Sequence, residues 1–313
     1  MALEWLRAKL AGGFSELNQA VLPTTCLARS SRYEMPALVR SVAGARDWEG
    51  RQVYAGQYTF TRDLLSRPYG SDLRVWKTAH AMQSSVQDYR AGLPGLQEHI
   101  WGATLSTEVQ VFATYPGSSS DSPSARPNSW AGQRILPRAR QHRDSVLVTY
   151  PFAASLPTHV WFPVPFMDEY TVSGCWLAGR VGDGYVAVAC AGGLSPVLSG
   201  STARQEWLPD GPGTAFVATV ACPGQDGSFS CFVSALGDPA FPPGGVSRRA
   251  RDGQVLSLRD VFTVDGEAPD IGADGRPGTG VHLDNPACVT RFGDTALAAR
   301  YGGHTMTVEF HAW

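Results

Sequence analysis

The stretch Cys175-Trp-Leu-Ala-Gly-Arg-Val181, Gly182-Asp-Gly184, Tyr185-Val-Ala-Val-Ala-Cys-Ala191 carries the fold. Two apolar runs flank a Gly-Asp-Gly turn, and Asp-Gly between such runs is a strong hairpin signal. Asp-Gly recurs at 183, 210, 226, 252, 265 and 274. Near the end, Met306, Val308 and Phe310 alternate with Thr305, Thr307, Glu309 and His311. That period predicts a strand with one buried and one wet face. Further runs of strand character fall at 53–60, 84–89, 99–105, 109–115, 145–150, 159–164, 215–221, 229–235, 255–258 and 297–301. So many short strands predict a mainly β chain, a large antiparallel β-sandwich (supersandwich).

Helix is expected only near the start. Leu6, Leu10, Phe14, Leu17 and Val21 form one apolar stripe, closed by Pro23. A shorter helix is expected over 37–42, because Pro36 suits a first helical turn. The chain therefore divides into a helical segment, 1–45, and a β-sandwich, 46–313. Residues 116–129 form a Ser- and Pro-rich loop without an apolar anchor. Loops of that length inside a compact domain are usually functional or disordered.

Composition excludes several classes. With 43% hydrophobic residues the chain has material for a core, so general disorder is excluded. A net charge of −2 argues against a nucleic-acid partner held by a basic surface. The longest nearly apolar run, 185–194, is about half a membrane span, so no membrane partner is expected. The first residues lack the pattern of a signal peptide. Only two of the 26 basic residues are lysines, Lys9 and Lys77, which limits Schiff-base or phosphate-anchoring chemistry to two candidates. The six cysteines contain no C-x-x-C pair. Cys222 and Cys231 flank a Pro-Gly-Gln-Asp-Gly turn; they read either as a hairpin bridge or as two half-buried strand cysteines. Phosphate-loop, dinucleotide, nucleophile-elbow, zincin and EF-hand motifs are all missing.

Three constellations carry possible chemistry. Between Ser84 and Trp101, one strand would align Ser85, Gln87 and Tyr89, and another Gln97, His99 and Trp101. A surface with amides, an imidazole, a phenol and an indole suits a sugar. The same residues also fit a partly buried polar hairpin in which Gln and His pair with each other. After the long loop come Asn128, Trp130, the arginines 134, 138, 140 and 143, and His142. Guanidinium binds carboxylate bidentately, so Arg138 and its neighbours fit a uronic acid, or else form a solvated face. His159, Asp168 and Glu169 are a weak candidate for a divalent metal, against a strand-end histidine and a charged turn. Asp88 and Glu98 would be the carboxylates of a glycosidase, but Glu98 alternates away from His99.

The order Ser-Ser-Val-Gln-Asp-Tyr-Arg (84–90), Gln-Glu-His-Ile-Trp (97–101), Pro-Asn-Ser-Trp-Ala-Gly (127–132), His-Val-Trp-Phe-Pro (159–163) and the hairpin at 176–187 resembles the C-terminal part of heparinase II/III-like proteins. The resemblance covers most of the chain from about residue 30. It implies an antiparallel β-supersandwich that normally follows an (α/α) toroid, and a polysaccharide lyase acting on uronic-acid glycans by β-elimination. The toroid is missing here, apart from the helix expected at 3–21. The chain is therefore expected to be a fragment, a truncated reading frame or a stand-alone descendant, and a poor catalyst alone. Elimination removes a weakly acidic proton beside a neutralised carboxylate. The resemblance implies His99 as the sandwich's catalytic histidine and Tyr89 as the nearby acid or base. It implies Gln87, Arg90 and Gln97 as substrate contacts; Trp101, Asn128, Trp130, Arg138 and His142 join them from the constellations above. The expected partner is an acidic polysaccharide or oligosaccharide. No cofactor is required, a structural divalent metal is left open, and a non-catalytic carbohydrate-binding module is the alternative.

Overall fold

The computed structural model describes residues 36–45, 47–54, 71–95, 98–120, 122, 128–130, 132–151, 156–259, 262–266, 281–291 and 293–309. The expected helix at 3–21 and the candidate Gln97 lie outside them. The described chain is mainly β, built of antiparallel sheets. After helix α1 (Ala37–Ala43) come β1 (Trp48–Tyr54), β2 (Ser71–Lys77), β3 (Met82–Val86), β4 (Trp101–Thr104), β5 (Gln110–Thr114), β6 (Arg138–His142), β7 (Ser145–Thr149) and β8 (His159–Trp161). Next are β9 (Glu169–Ser173), β10 (Trp176–Val181), β11 (Gly184–Cys190), β12 (Leu194–Pro196), β13 (Glu206–Pro209) and β14 (Ala215–Ala221). Two short helices follow, α2 (Pro223–Asp226) and α3 (Phe229–Ser234). The remainder is β15 (Val246–Arg249), β16 (Val255–Leu258), β17 (Phe262–Val264), β18 (Val281–Asn285), β19 (Cys288–Arg291), β20 (Ala296–Tyr301) and β21 (His304–Glu309).

Ten strands form one sheet in the order β12-β13-β8-β5-β4-β3-β2-β1-β18-β19, and six form a second, β6-β7-β14-β11-β10-β9. The two sheets pack face to face. Trp76, Trp101, Val111, Ala113 and Val160 of the first meet Val146, Val148, Leu177, Val188, Phe216 and Val220 of the second. Each Val, Leu or Phe among them, fully buried, contributes roughly 1.5–3 kcal/mol of transfer free energy. The other face of the six-stranded sheet is covered too. Leu147, Trp176, Tyr185 and Val217 pack under Phe229 and Phe232 of α3 and under Val246, Leu256 and Leu258 of the three-stranded sheet β15-β16-β17. This layer explains why β7, β11 and β14 are buried at every position.

The quoted hairpin forms as expected: Val181 pairs with Gly184 across a two-residue turn, with Gly182 at φ 54°. Helix 37–42 is also present as α1. Other expectations are corrected. Residues 229–234 are helical, not extended, because Ser228 caps α3 by accepting from the Cys231 amide and Phe229 and Phe232 share one apolar face. Cys222 and Cys231 therefore flank no hairpin, and both are free thiols. The C-terminal pair β20–β21 is exposed on both faces except at Ala299 and half-buried positions such as Met306. It is two strands wide, so one buried face has little to cover it.

Candidate functional site

The wide sheet turns one face to the core and one outward. Phe112 of β5 pairs with Trp161 of β8, which pairs with Glu206 of β13, so these three stand in one row on the outer face. Thr114 and His159 form the next row on that face. Residues 128–130 lie over these rows and place Trp130 on them. Trp130 stacks on the His159 ring (centroids 3.8 Å, planes 22° apart) and meets Trp161 and Phe112 edge-on at 5.1 and 6.3 Å.

Local hydrogen bonds set that loop. Asn128 Oδ1 accepts from the Trp130 amide at 2.8 Å, an Asx-type turn that fixes the indole's direction. The Ser129 amide donates to Ser120 O at 2.8 Å. Ser129 O lies 2.6 Å from His159 Nε2 and also accepts from Thr114 Oγ1. On the other side of the ring, His159 Nδ1 lies 2.8 Å from Glu206 Oε1, and Thr202 Oγ1 donates to Glu206 Oε2 at 2.7 Å. Both neighbours of the imidazole, a carboxylate oxygen and a backbone carbonyl, are hydrogen-bond acceptors. His159 is 3% exposed and stitches the loop to the sheet.

Beside this stitch lies a cleft of about 370 Å³, walled by Trp130, Leu156, Pro157 and Leu208 and edged by Ser119, Ser201 and Thr202. The hydrogen bond from His159 holds the Glu206 carboxyl below its ordinary value of 4.5. A carboxyl depressed by folding stabilises the fold above its unfolded value, and that contribution is lost as pH falls through the folded value. Glu206→Gln is therefore expected to lower the melting temperature near neutrality, with the gap to wild type shrinking below about pH 4.5. A pH series of melting curves checks it.

The residues singled out from sequence divide into three groups. Asn128, Trp130 and His99 belong to the aromatic row. The His99 ring sits edge-on to Phe112 at 4.5 Å, and Phe112 touches Trp130. His99 is exposed overall, yet burial against Phe112 lowers its pKa, which leaves it a neutral base at pH 7.

The second group joins the two sheets at a corner. Gln87 Nε2 donates to Ser85 Oγ, Ser85 Oγ to Gln141 Oε1, and the Gln141 amide to Gln87 Oε1, at 2.7–2.8 Å. Arg138 and Arg140 both converge on Asp88 Oδ2 at 2.9 Å. Gln87 thus pairs with Gln141 and not with a histidine, and Arg138 is engaged by a carboxylate of this chain. Asp88 is consequently no free carboxylate for glycosidic chemistry. Arg90 pairs with Glu98 (3.4 Å) and lies over the Tyr89 ring, which packs against the core.

The third group lies away from both places. Trp101 is 2% exposed and belongs to the core, because its position in β4 faces the second sheet. His142 Nε2 is 2.7 Å from Asp252 Oδ2, tying the β6–β7 turn to the β15–β16 turn. His159, Asp168 and Glu169 do not form a metal cluster. His159 faces Glu206, whereas Asp168 and Glu169 pair with Arg180. Among the described residues no group of three His, Cys, Asp or Glu side chains is placed to hold a metal ion, and no helix is long and apolar enough to cross a membrane.

Sequence reading missed Glu206, Thr202 and Trp161 as parts of this place. The available signal was only the alternation of β8, which sets His159 and Trp161 on one face. Its partner strand is distant in sequence. Neither a family model, nor a curated protein, nor a solved structure matches the chain.

Proposed function

We propose that this chain is a glycan-handling β-sandwich that seats a saccharide in the cleft beside Trp130. The observation that carries the reading is the cleft's make-up: an indole held by stacking and edge contacts, with hydroxyls of Ser119, Ser201 and Thr202 at the edge. Flat aromatic surface takes the apolar side of a pyranose, and short polar side chains take its hydroxyls. The resemblance to heparinase II/III-like proteins also implies a saccharide ligand, in their case a uronic-acid glycan. In calorimetric titrations with a panel of oligosaccharides, Trp130→Ala is expected to weaken binding by tenfold or more, about 1.4 kcal/mol, while circular dichroism stays unchanged. Equal binding by wild type and variant would remove the cleft from consideration.

A second reading, β-elimination, is favoured by His99. It is an exposed imidazole of lowered pKa at the end of the same aromatic row, suited to a general base. Tyr89 makes no hydrogen bond or ring contact with His99 among the described residues, so elimination would draw its acid from elsewhere. If wild type releases unsaturated sugars from an acidic glycan and His99→Ala does not, with binding retained, the chain is a lyase. If neither releases them, the elimination reading falls.

A further inference from the structure

Resting on that reading of the cleft, we infer that the saccharide it takes is uncharged where it enters, rather than a uronate. Glu206 spends one carboxylate oxygen on His159 and the other on Thr202. His159 spends its second nitrogen on Ser129 O. His159 therefore has no ring nitrogen left to meet a ligand carboxylate, and the Glu206 carboxylate, an acceptor, would repel one. Among the described residues lining the cleft there is no Arg and no Lys. Of the arginines near these residues in sequence, Arg204 lies over Tyr170 and Arg138 and Arg140 are bound to Asp88, while Arg134 is exposed and does not line the cleft.

A carboxylate entering this place would lose water without meeting a counter-charge among the described lining residues, and beside Leu156, Pro157 and Leu208 it would meet apolar walls. Such a transfer is costly unless the charge is paired. A neutral sugar brings hydroxyls, which the serine and threonine hydroxyls at the edge can satisfy, and C–H faces, which the Trp130 ring can cover. The cleft's volume, about 370 Å³, fits one or two pyranose rings, so the selection acts on a short part of any longer chain.

The test compares matched pairs that differ only in charge. The probes are oligogalacturonate and its methyl ester, β-1,4-linked oligoglucuronate and the corresponding oligoglucose, and oligomannuronate with oligomannose. Each is titrated by calorimetry into the full chain, into Trp130→Ala and into Leu208→Arg. At least one neutral member is expected to bind about tenfold tighter than its acidic twin, and the difference is expected to vanish in Trp130→Ala. Leu208→Arg, which sets a cation on the rim, is expected to narrow the gap by strengthening the acidic member. An acidic member that binds wild type as tightly as its neutral twin, with the binding lost in Trp130→Ala, overturns the charge selection and leaves the glycan reading standing. If no member of any pair binds in a Trp130-dependent way, both fall together.

Discussion

Replacing Phe216 by alanine is expected to lower the unfolding free energy by about 3–5 kcal/mol. Phe216 is fully buried in β14, at the centre of the packing between the two large sheets. Its ring meets Tyr150 edge-on, and its strand neighbours are Val148 and Cys190. These neighbours sit on paired strands of a sheet covered on both faces, so they cannot collapse far into the space left behind. A domain of ordinary stability has about 5–15 kcal/mol in total, so this one change removes a large share. Urea unfolding reads it as a lower midpoint with an unchanged slope. Leu198→Ala is the control: that residue is 77% exposed, and its loss should stay within about 0.5 kcal/mol. A Phe216→Ala loss no larger than the control's would mean that the sheets do not close on each other as described.

The second large effect is expected from Asp144→Ala, at about 3–5 kcal/mol. Asp144 sits in the β6–β7 turn, where its Oδ1 accepts from Ser145 Oγ at 2.7 Å and its Oδ2 pairs with Arg251 at 3.2 Å. Arg251 also pairs with Asp226 of α2 at 3.1 Å and donates to Val220 O. Arg248, over the Trp176 ring, is the fourth member, and burial lowers its pKa to about 10, so it is still a cation at neutral pH. Two guanidiniums and two carboxylates thus share the seam between the six-stranded sheet, α2 and the outer three-stranded sheet. Removing one carboxylate leaves two largely buried cations facing Asp226 alone, and an unpaired buried charge costs more than the pair contributed. Asp144→Asn, which can still accept from Ser145, is expected to lose less than Asp144→Ala. A loss under about 1 kcal/mol for Asp144→Ala would mean that water reaches the seam and screens it.

The two strongest local patterns were readable from the chain. The Gly182-Asp183 turn specified the β10–β11 hairpin, because its twist suits the flanking strands. Pro36 marked the start of α1. Local pattern misled at α3. Phe229-Ser-Cys-Phe-Val-Ser alternates well enough to pass for a strand, yet Phe229, Phe232 and Leu236 recur at helical spacing behind the capping Ser228. The helix forms because those side chains cover the second face of the six-stranded sheet, and no nearest-neighbour pattern states that this face needs covering.

The candidate residues divide along the same line. Aromatic and amide content near Ser84–Trp101 and Asn128–His142 marked polar regions, and alternation along each strand is a property of the chain alone. Which of those residues meet was settled by strand order. Trp130, His159 and Glu206 come together because β5, β8 and β13 lie side by side, although β8 and β13 are separated by the whole of β9–β12. Gln87 and Arg138 were drawn away to the corner where β3 meets β6. Backbone pairing between distant strands obeys the burial of whole faces, a sum over many residues, so a handful of polar side chains has no vote in it. Periodicity and turn chemistry act between neighbours and could be read in order; the cleft exists only where distant strands were brought edge to edge.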